Sequence, residues 1–251
     1  MHSKAILVAA SLLLAAFCLA GCATYRGMAS ADLTAFITGV PGVDPTSKLE
    51  FLPFNHSWTN RAFSLKKYSS VYVAPVTTRY IKPGSWVNSM SAHITSEKGY
   101  RAEVDELAGY FREQVAGSIR AYDKNRFQVV EAPGHGTLCL ELALTEVVFS
   151  RPAAYAGSMA SPVPGTSSAV DASLGSSVAF ELRLRDAGSG EVVFTAADRR
   201  TPPAKVLDLN KFSFTSSARE ICQEWAGLFA QFLNMDKQET LRARKFKVKP
   251  W

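Results

Sequence analysis

The run 137–149 narrows the fold more than any other stretch. Leu138, Leu140, Leu142 and Leu144 occupy every second position, the spacing that sets side chains on one face of a β-strand. Residues 178–185 repeat the pattern. Val178, Phe180, Leu182 and Leu184 point one way, and Glu181, Arg183 and Arg185 the other. The loop Asp186-Ala187-Gly188-Ser189-Gly190 then returns the chain into 191–197, which reads as a β-hairpin. Strands with one oily and one polar side belong to a sheet covered on one face only.

Two helices can supply the cover. In 101–122, Val104, Leu107, Ala108, Phe111, Val115 and Ile119 recur at three- and four-residue steps, one stripe of an amphipathic helix. In 216–234 the stripe is Ile221, Trp225, Leu228, Phe229 and Phe232, and Ser217 with Glu220 fits a capping box. Shorter strands are expected at 68–76, ended by Pro75, and at 127–130. The whole predicts an α+β two-layer sandwich, with a mostly antiparallel sheet of about five strands and two helices packed on one face. The other face is left for solvent or a partner.

The globular domain is expected over 68–235. It is interrupted at 150–177 by an excursion of Ala, Ser, Gly and Pro with too few large apolar side chains to order itself. Residues 22–67 read as an irregular lead-in, with room for a helical turn at 32–37. Phe51, Leu52, Phe54, Trp58 and Phe63 are too apolar for a free linker, so this stretch is expected to lie against the domain. Residues 236–251 form a basic tail.

Lys4 precedes an apolar stretch over 5–20 that closes on Leu19, Ala20, Gly21 and Cys22. A basic start, an apolar middle and small residues at the end describe an export signal over 1–21. The stretch is shorter than the roughly 20 apolar residues that span a bilayer. A cysteine directly after Leu-Ala-Gly resembles the lipobox of bacterial lipoproteins. That resemblance implies that Cys22 takes up a diacylglycerol, becomes the first mature residue and is acylated, for instance with palmitate. Ala23 rather than Asp after it resembles the pattern sorted to the outer membrane, which implies a lipid-anchored chain facing the periplasm. Each buried methylene contributes about 0.8 kcal/mol, so two or three chains hold where one would not.

The formal net charge is +6, but it is concentrated. Lys237, Arg242, Arg244, Lys245, Lys247 and Lys249 against Asp236 and Glu239 leave +4 in the tail, and the body from 22 to 235 carries only +1. A near-neutral body does not suit nucleic acid. In the tail, Arg242, Arg244, Lys245, Lys247, Lys249 and Trp251 are the candidate contacts to anionic lipid or peptidoglycan. The alternation through 244–249 also permits an added edge strand. Once Cys18 is removed and Cys22 modified, Cys139 and Cys222 remain. Cys139 alternates to the face opposite the leucines and Cys222 lies on the second helix, so free thiols are expected rather than a disulfide.

The segments Tyr68-Ser69-Ser70-Val71-Tyr72-Val73-Ala74-Pro75-Val76, Tyr110-Phe111-Arg112, Gly136-Thr137-Leu138 and Leu184-Arg185-Asp186-Ala187-Gly188-Ser189-Gly190-Glu191-Val192, taken with the lipobox, resemble the bacterial lipoprotein family called domain of unknown function 3313. The resemblance runs over roughly 32–233. It implies an envelope lipoprotein with an α+β domain, and no catalytic residues.

Catalytic signatures are sparse. His56, His93 and His135 are dispersed, without the spacing of a metal site, and His135 between two glycines reads as an exposed turn residue. There is no Gly-x-Ser-x-Gly elbow and no phosphate-binding loop. Glu103, Asp105 and Glu106 read as first-turn stabilisers of their helix. No cofactor and no metal are expected. The leading expectation is a non-enzymatic outer-membrane lipoprotein, an interaction or assembly module of the cell envelope with an envelope protein as partner. The alternatives are an accessory subunit of a secretion or transport assembly, and an envelope hydrolase with a dispersed site.

Overall fold

A computed structural model describes residues 31–90, 94–149, 177–201 and 215–235. Six strands form one sheet: β1 (His56–Thr59), β2 (Ser70–Val73), β3 (Gln128–Val130), β4 (Thr137–Val148), β5 (Ser177–Asp186) and β6 (Val192–Arg200). Their order across the sheet is β1-β6-β5-β4-β2-β3. Among the described residues three α-helices accompany them: α1 (Ala35–Thr38), α2 (Glu97–Arg120) and α3 (Ser216–Asn234).

The α+β sandwich is as expected, but the sheet has six strands and is mixed. β4, β5, β6 and β1 are antiparallel neighbours, whereas β2 runs parallel to both β3 and β4. The physical reason is the connection. β2 reaches β3 through the long helix α2, and a crossover of that length joins parallel strands. The additional strand, β1, falls inside the stretch read as irregular. It pairs with β6 over Ser57↔Ala196 and Trp58↔Thr195.

The leucine face is the core. Leu138, Leu140, Leu142 and Leu144 are all buried and join Phe180, Leu182 and Leu184 under α2 and α3. Phe180 is central. Its ring lies 4.6 Å from Trp225, 5.1 Å from Phe229, 5.9 Å from Phe54 and 6.4 Å from Phe111. The lead-in thus sends Leu52 and Phe54 into this core, as the apolar run there suggested.

Helix ends depart from expectation twice. α3 starts at Ser216, with Thr215 in the capping position and no side-chain cap bond from it; Ser217 is already inside the helix and cannot cap it. α2 starts at Glu97, and the Ser96 side chain accepts from Gly99 N. Glu103, Asp105 and Glu106 therefore lie beyond the first turn. Asp105 accepts from Thr78 Oγ1 at 3.0 Å, and Glu106 pairs with Arg219 of α3.

Candidate functional site

The second face of the sheet is polar and carries the chemistry. Alternation places Cys139, Glu141 and Ala143 of β4 beside Arg185, Arg183 and Glu181 of β5. Thr195 and Ala197 of β6 follow in register. Tyr72 of β2 is opposite Cys139.

Glu181 is the centre of this face. It is 1% exposed, and its carboxylate accepts from Thr34 N, from Thr34 Oγ1 at 2.9 Å and from Ile37 N at 3.1 Å. These are the donors at the start of α1, so a buried carboxylate from the sheet caps a helix more than 140 residues earlier in the chain. Burial raises the Glu181 pKa, and the bonds from Thr34 and Ile37 oppose the rise. Arg183 completes the latch. Its guanidinium lies 3.9 Å over the Phe36 ring and donates to Phe36 O. Phe36 and Ile37 form a small second core with Ala143 and Ala197, against which Leu33, Val43 and Tyr80 pack.

Beside the latch run rows of paired charge. Glu141 receives Arg183 at 2.7 Å and Arg185 at 3.0 Å. Glu146 receives Arg199 at 2.7 Å and the Ser177 hydroxyl at 2.6 Å. The charged side chains are half-buried and Ser177 is buried. Trp58 and Tyr72, on the same face, are half-buried as well.

A cleft of about 190 Å³ opens where the lead-in crosses this face, lined by Leu33, Thr46, Asn55, His56, Glu181 and Asp198 among others. His56 is buried and its Nε2 meets Thr195 Oγ1 at 3.1 Å. Burial holds its pKa below the usual histidine value, and the Pro45 carbonyl and Asp44 act in the other direction.

On the core side, a separate charged cluster ties β6 to α3. Arg200 Nε pairs with Asp198 at 2.7 Å and Arg200 Nη1 with Glu224 at 2.9 Å. Trp225 Nε1 donates to Asp198 at 2.9 Å. Burial raises the Asp198 pKa, against the pull of Arg200 and the Trp225 bond.

The residues singled out from sequence fall unevenly. Leu19, Ala20, Gly21 and Cys22 lie outside the described residues, as do Arg242, Arg244, Lys245, Lys247, Lys249 and Trp251, His93, and all of the 150–177 excursion but Ser177, which is the first residue of β5. His135 is exposed in a turn, as expected. Cys139 and Cys222 are buried and free; Cys222 belongs to the helix-side core and Cys139 does not. Burial raises both thiol pKa values. Among the described residues no cluster of three or more His, Cys, Asp or Glu side chains is placed to hold a metal ion, and no helix is long and apolar enough to cross a membrane. The alternation of Glu181, Arg183 and Arg185 announced a polar face, but nothing local announced Glu181 as a cap or Asp198 and Arg200 as buried.

These features define an α+β sandwich whose polar sheet face is latched to the N-terminal segment around Thr34. Residues 42–229 match DUF3313, a family of proteins of unknown function, and the chain belongs to that family. No curated protein matches it. Solved structures that the chain is similar to include the PelC dodecamer from Paraburkholderia phytofirmans, 14% identical over 70% of this chain and 95% of that one, with a TM-score of 0.36. A Xanthomonas campestris protein of family DUF330 is 11% identical over 70% of this chain and 89% of its own, with a TM-score of 0.37. A hypothetical protein from Chlamydia trachomatis is 10% identical over 66% of this chain and 98% of its own, with a TM-score of 0.35.

Proposed function

We propose that the protein is a non-enzymatic outer-membrane lipoprotein, anchored through Cys22, that acts as an interaction module of the cell envelope. The observation that carries this reading is the polar sheet face. Glu141, Arg183, Arg185, Glu146 and Arg199 are held in fixed pairs, with Trp58 and Tyr72 half-buried on the same side. Ordered arginines beside large aromatics suit a protein partner, because they offer contact area and directional charge at little further loss of freedom.

The latch supports the anchor. Thr34 is bonded into the sheet, so the twelve residues 22–33 would be the whole tether. Their extended reach is about 40 Å, which keeps the face close to the membrane plane. The tail would add a contact to anionic lipid or peptidoglycan.

The test is photocrosslinking in intact envelopes from probes at Trp58 and Tyr72, with intact mass of the purified chain as a second readout. A discrete adduct with one envelope protein and an acylated Cys22 support the reading. An unmodified amino terminus, or adducts no different from those of a probe at exposed Lys124, overturn it. Light scattering of the detergent-extracted protein separates a monomeric module from an assembly subunit.

A further inference from the structure

We infer that the end of the sheet from which residue 31 departs rests on the lipid surface, with loop 77–90 as its contact. The inference depends on the lipid-anchor reading above. The ends of the molecule are defined by the strands. β4 finishes at Val148, β5 begins at Ser177 and β6 finishes at Arg200, all at one end, because β5 runs antiparallel to both neighbours.

Loop 77–90 lies at that end. Thr77 bridges to Ala143 late in β4. Further on, the 3-10 turn Ser85–Ser89 is fixed when Ser89 Oγ accepts from Phe149 N at 3.1 Å. Three large hydrophobic side chains are exposed among the described residues, and two of them, Val87 at 48% and Met90 at 45%, stand on this loop. Trp86 between them and the core is half-buried. The loop's charged residues are Arg79 and Lys82; it has no acidic residue. Two acidic side chains reach the loop, Asp105 accepting from Thr78 and Asp32 pairing with Lys82, while Glu97 pairs with Arg101.

The tether selects the occupant of this surface. Lys82 pairs with Asp32 at 3.0 Å, so the chain leading back to Cys22 leaves beside the loop. A lipid anchor within about 35 Å of this point brings a bilayer to this end before any other. Exposed aliphatic side chains, a tryptophan and the cation Arg79 are the composition that settles at a headgroup boundary, where apolar tips reach the acyl region and a cation meets lipid phosphates. The far end is turned away. α3 finishes there at Asn234, where Arg126 donates to Leu233 O.

The test uses the full chain produced in a bacterial envelope, extracted and reconstituted in vesicles of phosphatidylcholine and phosphatidylglycerol. An environment-sensitive fluorophore is attached at Val87→Cys, at Met90→Cys and, as the far-end reference, at Lys66→Cys. Brominated lipids are expected to quench the first two labels and spare the third. Equal quenching at all three positions, or none at 87 and 90 in acylated protein, overturns the inference and leaves the anchor standing. Intact mass separates the other failure: an unacylated chain removes the anchor reading and this inference with it.

Discussion

At the scale of single residues, Glu181 is the most consequential side chain of the polar face. Its two oxygens satisfy three donors of the N-terminal segment. Glu181→Ala would strand the Thr34 donors over a buried surface, while Ile37 N keeps its bond to Thr34 O; each stranded donor costs about 1–3 kcal/mol. Chemical denaturation should report a drop in that range. The titration of His56 gives a second residue-level prediction. Burial holds its folded pKa below the unfolded value. A base of that kind is neutral when folded, so its contribution is present above an unfolded pKa of about 6.5 and is lost as pH falls through the folded value. Glu181 and Asp198 have raised pKa values and act oppositely, because protonating them at low pH relieves a buried charge. His56→Gln should therefore gain on the wild type as pH drops below about 6.5, measured as the difference between two melting curves. A difference that stays constant with pH would sink the assignment.

At the scale of elements, β6 and α3 are joined by ions as well as by packing. Arg200 stands between Asp198 and Glu224 and is itself 6% exposed. Arg200→Met would leave the buried Asp198 carboxylate without its ion-pair partner, and breaking a buried pair from one side costs about 3–5 kcal/mol. Thermal unfolding should show the loss, and Arg199→Met, on the other face in a half-buried pair, should show much less. The elements were unequally legible in the sequence. β4 and β5 stand out because one face is oily over their full length, and α3 because a single stripe holds Ile221, Trp225 and Phe232. β1 has only His-Ser-Trp-Thr, too short for a period to register. It is a strand because β6 offers an edge, which is tertiary information. The parallel pairing of β2 did leave a signal, since strand, helix, strand over 68–130 is the order of a crossover. The latch left none. Thr34 and Glu181 are remote in sequence, and a carboxylate in an alternating polar row looks solvated until a helix end arrives over it.

At the scale of the molecule, stability is expected to be uneven, because the sheet has two cores of different size. The helix-side core gathers residues from Leu52 to Leu233, while the second consists of Phe36, Ile37, Ala143 and Ala197 with three half-buried neighbours. A small core held by one carboxylate and one arginine opens more cheaply than the large one, and segments of that kind exchange amide hydrogens without global unfolding. In native-state hydrogen exchange, the amides of Ile37, Thr38 and Gly39, all hydrogen-bonded within the segment, should exchange through a local opening. The amides of Leu140, Leu142 and Leu182 should exchange only when the whole sheet opens. Phe180→Ala separates the two. Phe180 lies on the helix side against Trp225 and Phe229, and its truncation costs about 3–5 kcal/mol through lost contacts and a cavity. That change should lower protection across β4 and β5 by the full amount and leave the opening energy at residues 37–39 unaltered. Glu181→Ala should abolish protection at 37–39 well before it is felt at 140 and 142. If both variants reduced protection equally at both places, the N-terminal segment would be part of one cooperative unit with the sheet, and the polar face could not be uncovered for a partner without unfolding the protein.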